Sequence, residues 1–211
     1  MRKLSFWSLT NILILINVVV FIAVFAFSFF NQQAINYFSL SPQLVLQGKN
    51  IWTIFTSIFM HAGFFHLLVN MMSLFFLGNF LEMLIGGKRF IGIYLISGIA
   101  GSLAYIYLTL LFGQNMTIPA VGASGAIFGL AGILAVLTPK MKVFIFPIPV
   151  AMPMWIGVIA IMALFWILSA AFNLPIGNNA HLGGFIAGIS YAFYLRLKYR
   201  HKTRMIANLF H

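Results

Sequence analysis

The chain has 211 residues, 63% of them hydrophobic and 6% charged, where a soluble domain carries roughly a quarter charged residues. That balance excludes a large soluble domain and points to a membrane protein, read through apolar runs near 20 residues. A net charge of +11 would suit nucleic acid, but the basic residues cluster in short segments between apolar runs, and the lack of cysteine excludes disulfides, thiolate catalysis and cysteine metal sites.

The first apolar run follows Arg2 and Lys3 and so resembles the start of a signal peptide. It continues to Phe30 without a small-residue cleavage site, so a retained span over 9–30 is expected. Residues 31–62 are too polar to span and are expected to form an interfacial loop or short surface helices. Further spans are predicted over 63–84, 90–112, 124–138, 149–170 and 180–197. The fourth is short for a hydrocarbon core of roughly 30 Å, so it should lie buried among the others. The expectation is a single all-α domain over 1–211, a six-transmembrane-helix bundle.

Arg2, Lys3, Lys88, Arg89, Lys140, Lys142 and the five basic residues from Arg196 to Arg204 then fall on one side, and only Lys49 on the other. This partition predicts an integral, multi-pass protein with both termini cytoplasmic. The tail "RLKYRHKTR" reads as part of that topology signal, with contact to anionic lipid headgroups as a lesser reading. Spans two, four and six enter from the outer side. His66, Ser124 and His181 lie at or near their starts, so the three share a shallow extracytoplasmic depth.

Ionisable groups in a membrane domain suggest function. A serine becomes a nucleophile beside a base, and histidine is the suitable base near neutral pH. The chain has no Asp and one acid, Glu82, at the inner end of span two, so a Ser-His-Asp triad is impossible. Any hydrolase must then run on a Ser-His dyad, and a nucleophile on span four, Ser124, with a base on span six, His181, would complete one. His66 and Asn70, spaced i, i+4, share a helix face and can both donate to an oxyanion. The Ser124 backbone amide, at a helix start, adds a third donor. "GASG" at 122–125 is not the G-x-S-x-G elbow of soluble hydrolases, since Ala126 stands where the second glycine would fall.

With these residues in place, the sequence resembles the rhomboid family of intramembrane serine proteases. "HAGFFHLLVN" is similar to its H-x-x-x-N element through His66 and Asn70. "GASGAIFG" is similar to its G-x-S-G, with Ser124, and "NNAHLGGFIAG" to its A-H-x-x-G, with His181. The resemblance runs from about Trp52 to Gly188. It implies a water-filled cavity open to the outside and cleavage of single-span transmembrane substrates near their outer end. It implies Ser124 as nucleophile, His181 as base, and His66, Asn70 and the Ser124 amide as oxyanion donors. Phe128 is implied as the ring on which the base stacks, Gly125, Gly184 and Gly188 as packing positions, and Glu82 and Trp52 as structural support. Gating is implied for the fifth helix and "AFNLPIGNN". Two departures stand out. Thr53 follows Trp52 where many members have Arg, and Asn178 and Asn179 precede the base where many have Asp.

The pairs Gly125–Gly129 and Gly184–Gly188 match chance in number, but their positions after the serine and the histidine would let spans four and six approach closely. Glu82 is expected to pair with nearby backbone or with Lys88 or Arg89. His61 is expected to be an interfacial loop residue, and His201 and His211 fall in the tail. No cofactor, metal or nucleic acid is expected; the partners are transmembrane substrates and membrane lipid. A zinc site from His61, His66 and His181 lacks carboxylate or thiol support and metal-ligand spacing. The alternatives are a catalytically silent rhomboid-like membrane-protein binder, and a small transporter, the latter disfavoured because polar groups gather at one end and no inverted repeat is visible.

Overall fold

The computed structural model describes residues 8–31, 34–145 and 148–210. Arg2, Lys3 and His211 lie outside the described residues. The long helices are α1 (Leu9–Ser28), a continuous helix Phe64–Ile85, α7 (Gly87–Leu111), α8 (Ser124–Leu137), α9 (Met154–Phe172) and α10 (Asn178–Lys198). The loop between the first two carries α2 (Ala34–Phe38), α3 (Pro42–Leu46) and α4 (Thr53–Thr56), the last running into a 3-10 turn Ser57–Phe59. Helix Phe64–Ile85 consists of α5 (Phe64–Ser73), a π-turn (Leu74–Gly78) and α6 (Asn79–Ile85).

Among the described residues, four helices, 9–28, 64–85, 87–111 and 154–172, are long and apolar enough to cross a membrane. Large apolar side chains such as Ile22, Phe27, Phe76, Ile96, Leu103, Ile159 and Ile167 stand exposed on them, as helices solvated by lipid require. The chain is an integral, multi-pass membrane protein. Helix α8 has 14 residues, about 21 Å, and α10 has polar residues at both ends.

Helix α8 forms the centre. Eleven of its 14 residues are buried, so it is apolar on every side and walled by protein. Its neighbours α7 and α10 reach it backbone to backbone. A Cβ on Gly184 would strike the carbonyl oxygen of Gly125, and one on Gly188 that of Gly129. A Cβ on Gly132 would lie 2.8 Å from the Phe185 carbonyl, and one on Gly101 of α7 would lie 3.4 Å from Gly125 Cα. These contacts exist only because no side chain intervenes.

Helix α1 is docked at its N-terminus. Ser8 caps it, accepting from Asn11 N–H (3.2 Å), and donates to Asn79 Oδ1 (2.9 Å). Glu82 accepts from Leu9 N (3.0 Å), Thr10 N (2.9 Å) and Thr10 Oγ1 (2.7 Å). The only acid in the sequence therefore satisfies free N–H groups and faces the positive end of the helix dipole. Its partners are the first residues of α1, more than 70 positions away in sequence, rather than Lys88 or Arg89.

Three features differ from the sequence expectation. The chain is not wholly α: β1 (Lys142–Ile145) and β2 (Ile148–Pro153) form an antiparallel hairpin, pairing Val143 with Met152 and Ile145 with Ile148. The fifth helix accordingly begins at Met154 instead of 149. Pro149 and Pro153 explain the difference, because proline within a helix removes a hydrogen bond and clashes with the preceding turn. Third, the tail forms a short amphipathic helix, α11 (Arg200–Asn208), with Thr203 buried and Phe210 in ring contact with Phe80 at 5.8 Å.

Arg89 donates to Tyr199 Oη (2.9 Å), with its guanidinium over that ring. The basic start of α7 therefore meets the basic end of α10.

Candidate active site

Residue Gly122 enters α8 with φ +128°, a conformation that favours glycine, and its N–H donates to Ser57 O at 2.9 Å. A Cβ there would lie 2.9 Å from His66 Cε1 and 3.0 Å from Nε2. Glycine is needed twice over, for the turn and for the approach of the His66 ring. Ser124 then begins α8, where the first N–H groups have no partner within the helix.

His181 lies in the first turn of α10 and is buried. Its Nε2 is 2.9 Å from Ser124 Oγ across 57 positions of sequence. The ring stacks on Phe128, one helical turn beyond Ser124, with centroids 4.5 Å apart and planes 26° apart. Phe165 of α9 closes another side at 5.6 Å. Nδ1 of His181 has no hydrogen-bond partner among the described residues. The close α8–α10 seam sets this meeting, since any side chain at 184 or 188 would push the two helix starts apart.

His66 lies in the first turn of α5, and its Nδ1 accepts from Ala62 N–H at 3.4 Å. Asn70 is buried one turn further on, and its Nδ2 donates to His66 O at 2.8 Å. An amide nitrogen carries two hydrogens, so one remains. The structure thus gathers Ser124, His181, Phe128, Gly122 and His66 at one end of the bundle, with Asn70 a turn below. Glu82 and Trp52 are elsewhere. Trp52 packs on Tyr37 (4.9 Å) and donates to Tyr37 O (3.0 Å) in the loop between the first two long helices. Thr53, where many members of the resembled family carry Arg, is buried and donates through Oγ1 to Asn50 O (2.6 Å). Asn179 donates to Gln114 Oε1 (2.9 Å), tying the start of α10 to the loop after α7.

One contact of this neighbourhood escaped the sequence reading. The loop residue His61 is buried, with its ring 5.2 Å from that of His66 and 64° to it. Burial first, and the neighbouring His66 second, lower its pKa to about 4. Its five-residue spacing from His66 matches no helical face, so nothing periodic announces the contact.

A buried helical core ringed by apolar helices, with a serine and a histidine from different helix starts in hydrogen-bond reach, defines a multi-pass membrane protein with a serine–histidine pair. A family profile described as "Rhomboid domain" matches residues 48–198, and the chain belongs to the rhomboid family. It is 37% identical over 170 residues to RHOMBOID-like protein 1 of Arabidopsis thaliana, covering 76% of this chain and 39% of that protein. It is 35% identical over 147 residues to Rhomboid protease GluP of Bacillus subtilis, covering 69% and 26%. It is also 35% identical over 153 residues to Inactive RHOMBOID-like protein 8 of Arabidopsis thaliana, covering 70% and 39%. The matched region is less than half the length of each of these relatives.

Proposed function

We propose that this chain is an intramembrane serine endopeptidase that cleaves transmembrane segments near their extracytoplasmic end. The 2.9 Å separation of Ser124 Oγ and His181 Nε2 carries this reading. With Nε2 accepting from the hydroxyl, the neutral imidazole holds its proton on Nδ1. Ser124 Oγ attacks a peptide carbonyl while its proton passes to His181 Nε2. The tetrahedral oxyanion is met by His66 Nε2–H, the free Asn70 Nδ2–H and the Ser124 N–H. His181 then protonates the leaving amide nitrogen as the C–N bond breaks, leaving an ester on Ser124. Water attacks the ester, His181 takes the water's proton, and Oγ leaves with it. Phe128 holds the imidazole flat through both halves. A carboxylate orienter is unnecessary to this scheme, because stacking on Phe128 and a tilted contact with Phe165 restrain the ring.

In this reading all six long helices span the bilayer, and the dyad faces the extracytoplasmic side. The basic Lys88–Arg89 and Arg196–Arg204 segments, at the other end of the bundle, support that orientation. The substrate is a single-span protein whose helix unwinds locally at the cut, since a hydrogen-bonded helical carbonyl is inaccessible to a nucleophile. Helix α9 buries only Met154, Gly157 and Val158, all near the hairpin, which supports it as the element that lets substrate in.

A second reading, a catalytically silent membrane-protein binder, is kept because one relative is named inactive. The two separate cleanly. Purified wild type in micelles should react with a fluorophosphonate probe and cut a model single-span substrate at a site mapped by mass spectrometry. Ser124→Ala and His181→Ala should do neither. Well-folded wild type that does not label would favour the binder.

A further inference from the structure

Resting on that reading of Ser124 and His66, we infer that His61 is a positioning residue for the oxyanion side of the site, acting through the His66 ring. The segment 57–62 grips that side at two points. Ser57 O accepts from Gly122 N–H, two residues before the nucleophile. Ala62 N–H donates to His66 Nδ1. The segment is itself anchored, with Ser57, Ile58, Met60 and His61 all buried and Ile58 wedged against Gly98 of α7.

The Ala62 bond sets the tautomer of His66. A backbone N–H requires a lone pair on Nδ1, which puts the imidazole proton on Nε2, the nitrogen beside Gly122. At 3.4 Å this bond is long and holds the ring weakly. The terminal torsion of histidine is broad and roughly two-fold, and a half-turn would exchange Nδ1 with Cδ2 and carry the Nε2 donor away. The His61 ring packs edge-on beside His66, 5.2 Å between centroids, and hinders such a turn. His61 is only 8% exposed, and the polar group its ring meets is the backbone of Phe59 in its own segment. Burial and that local contact fix the ring, and a fixed ring is what the adjacent imidazole packs on.

The test uses the full chain in micelles. His61→Ala should lower kcat about ten- to a hundred-fold, less than the roughly hundred- to thousand-fold typical of deleting an oxyanion donor, with KM within about two-fold. His61→Phe, which restores a ring without nitrogens, should recover most of that loss. Nitrogen-15 spectra of labelled histidine should show His66 as a single Nε2–H tautomer in wild type and His61→Phe, and as a mixture in His61→Ala. A His61→Ala protein whose His66 signals match wild type overturns the inference, as does a His61→Phe protein as impaired as His61→Ala. If wild type fails to label at Ser124, the proposed function falls instead. If wild type labels, Ser124→Ala does not, and His66 is indifferent to His61, only this inference falls.

Discussion

Ser124 Oγ and the His66 ring both lie against the side of Gly122 where a Cβ would project, and that crowding governs what can be changed nearby. Any residue but glycine at 122 meets the His66 ring and a left-handed backbone at once. Gly122→Ala should therefore lose cleavage at least ten-fold while remaining folded, as measured by substrate turnover beside a thermal melt. Glu82 offers the complementary case, a charge outside the site. Glu82→Gln keeps one acceptor and loses the charge at the start of α1, so it should lower stability by about 1–2 kcal/mol with activity retained in the folded fraction. His61 adds a pH dependence. The free side chain titrates at 6.5 and the folded one near 4, so between those values unfolding takes up a proton. The stability from neutral His61 is full above 6.5 and is lost as pH falls to 4. His61→Gln should flatten that acid limb in melts of the Ser124→Ala background, where autolysis cannot interfere. The His61–His66 and Glu82–α1 contacts were not legible in the sequence, because each joins side chains by tertiary packing that leaves no periodic trace.

Helices α8 and α10 form the element on which the rest is hung. Glycine pairs in the two helices match chance in number, yet their carbonyls and α-carbons lie in direct contact. Position after the serine and the histidine was the legible signal; frequency was not. Gly184→Ala should overpack the seam, costing about 1–3 kcal/mol, and should part Ser124 from His181. A melt and a cleavage assay on the same preparation test both halves. Gly92→Ala, with nothing within 4 Å of the added carbon, is the control and should leave both unchanged. Apolar runs and charge placement made the six long helices readable to within a few residues at most ends. They misled at 149–153, where hydrophobicity alone does not separate a helix from a strand and the prolines had to be given more weight. Helix α11 was missed because its residues read equally as a basic topology signal.

At the scale of the molecule, one short helix sits inside longer ones. Its 14 residues, about 21 Å, are fixed by protein neighbours and not by lipid. The height of Ser124, the proposed nucleophile, is thus built into the scaffold like a mark on a ruler. Reconstituted into phospholipids of different acyl length, the protein should keep cutting a given substrate at the same peptide bond while the yield changes, as mass spectrometry of the fragments would reveal. A scissile position that migrated with membrane thickness would mean that the bilayer, and not the glycine seam, holds the gauge.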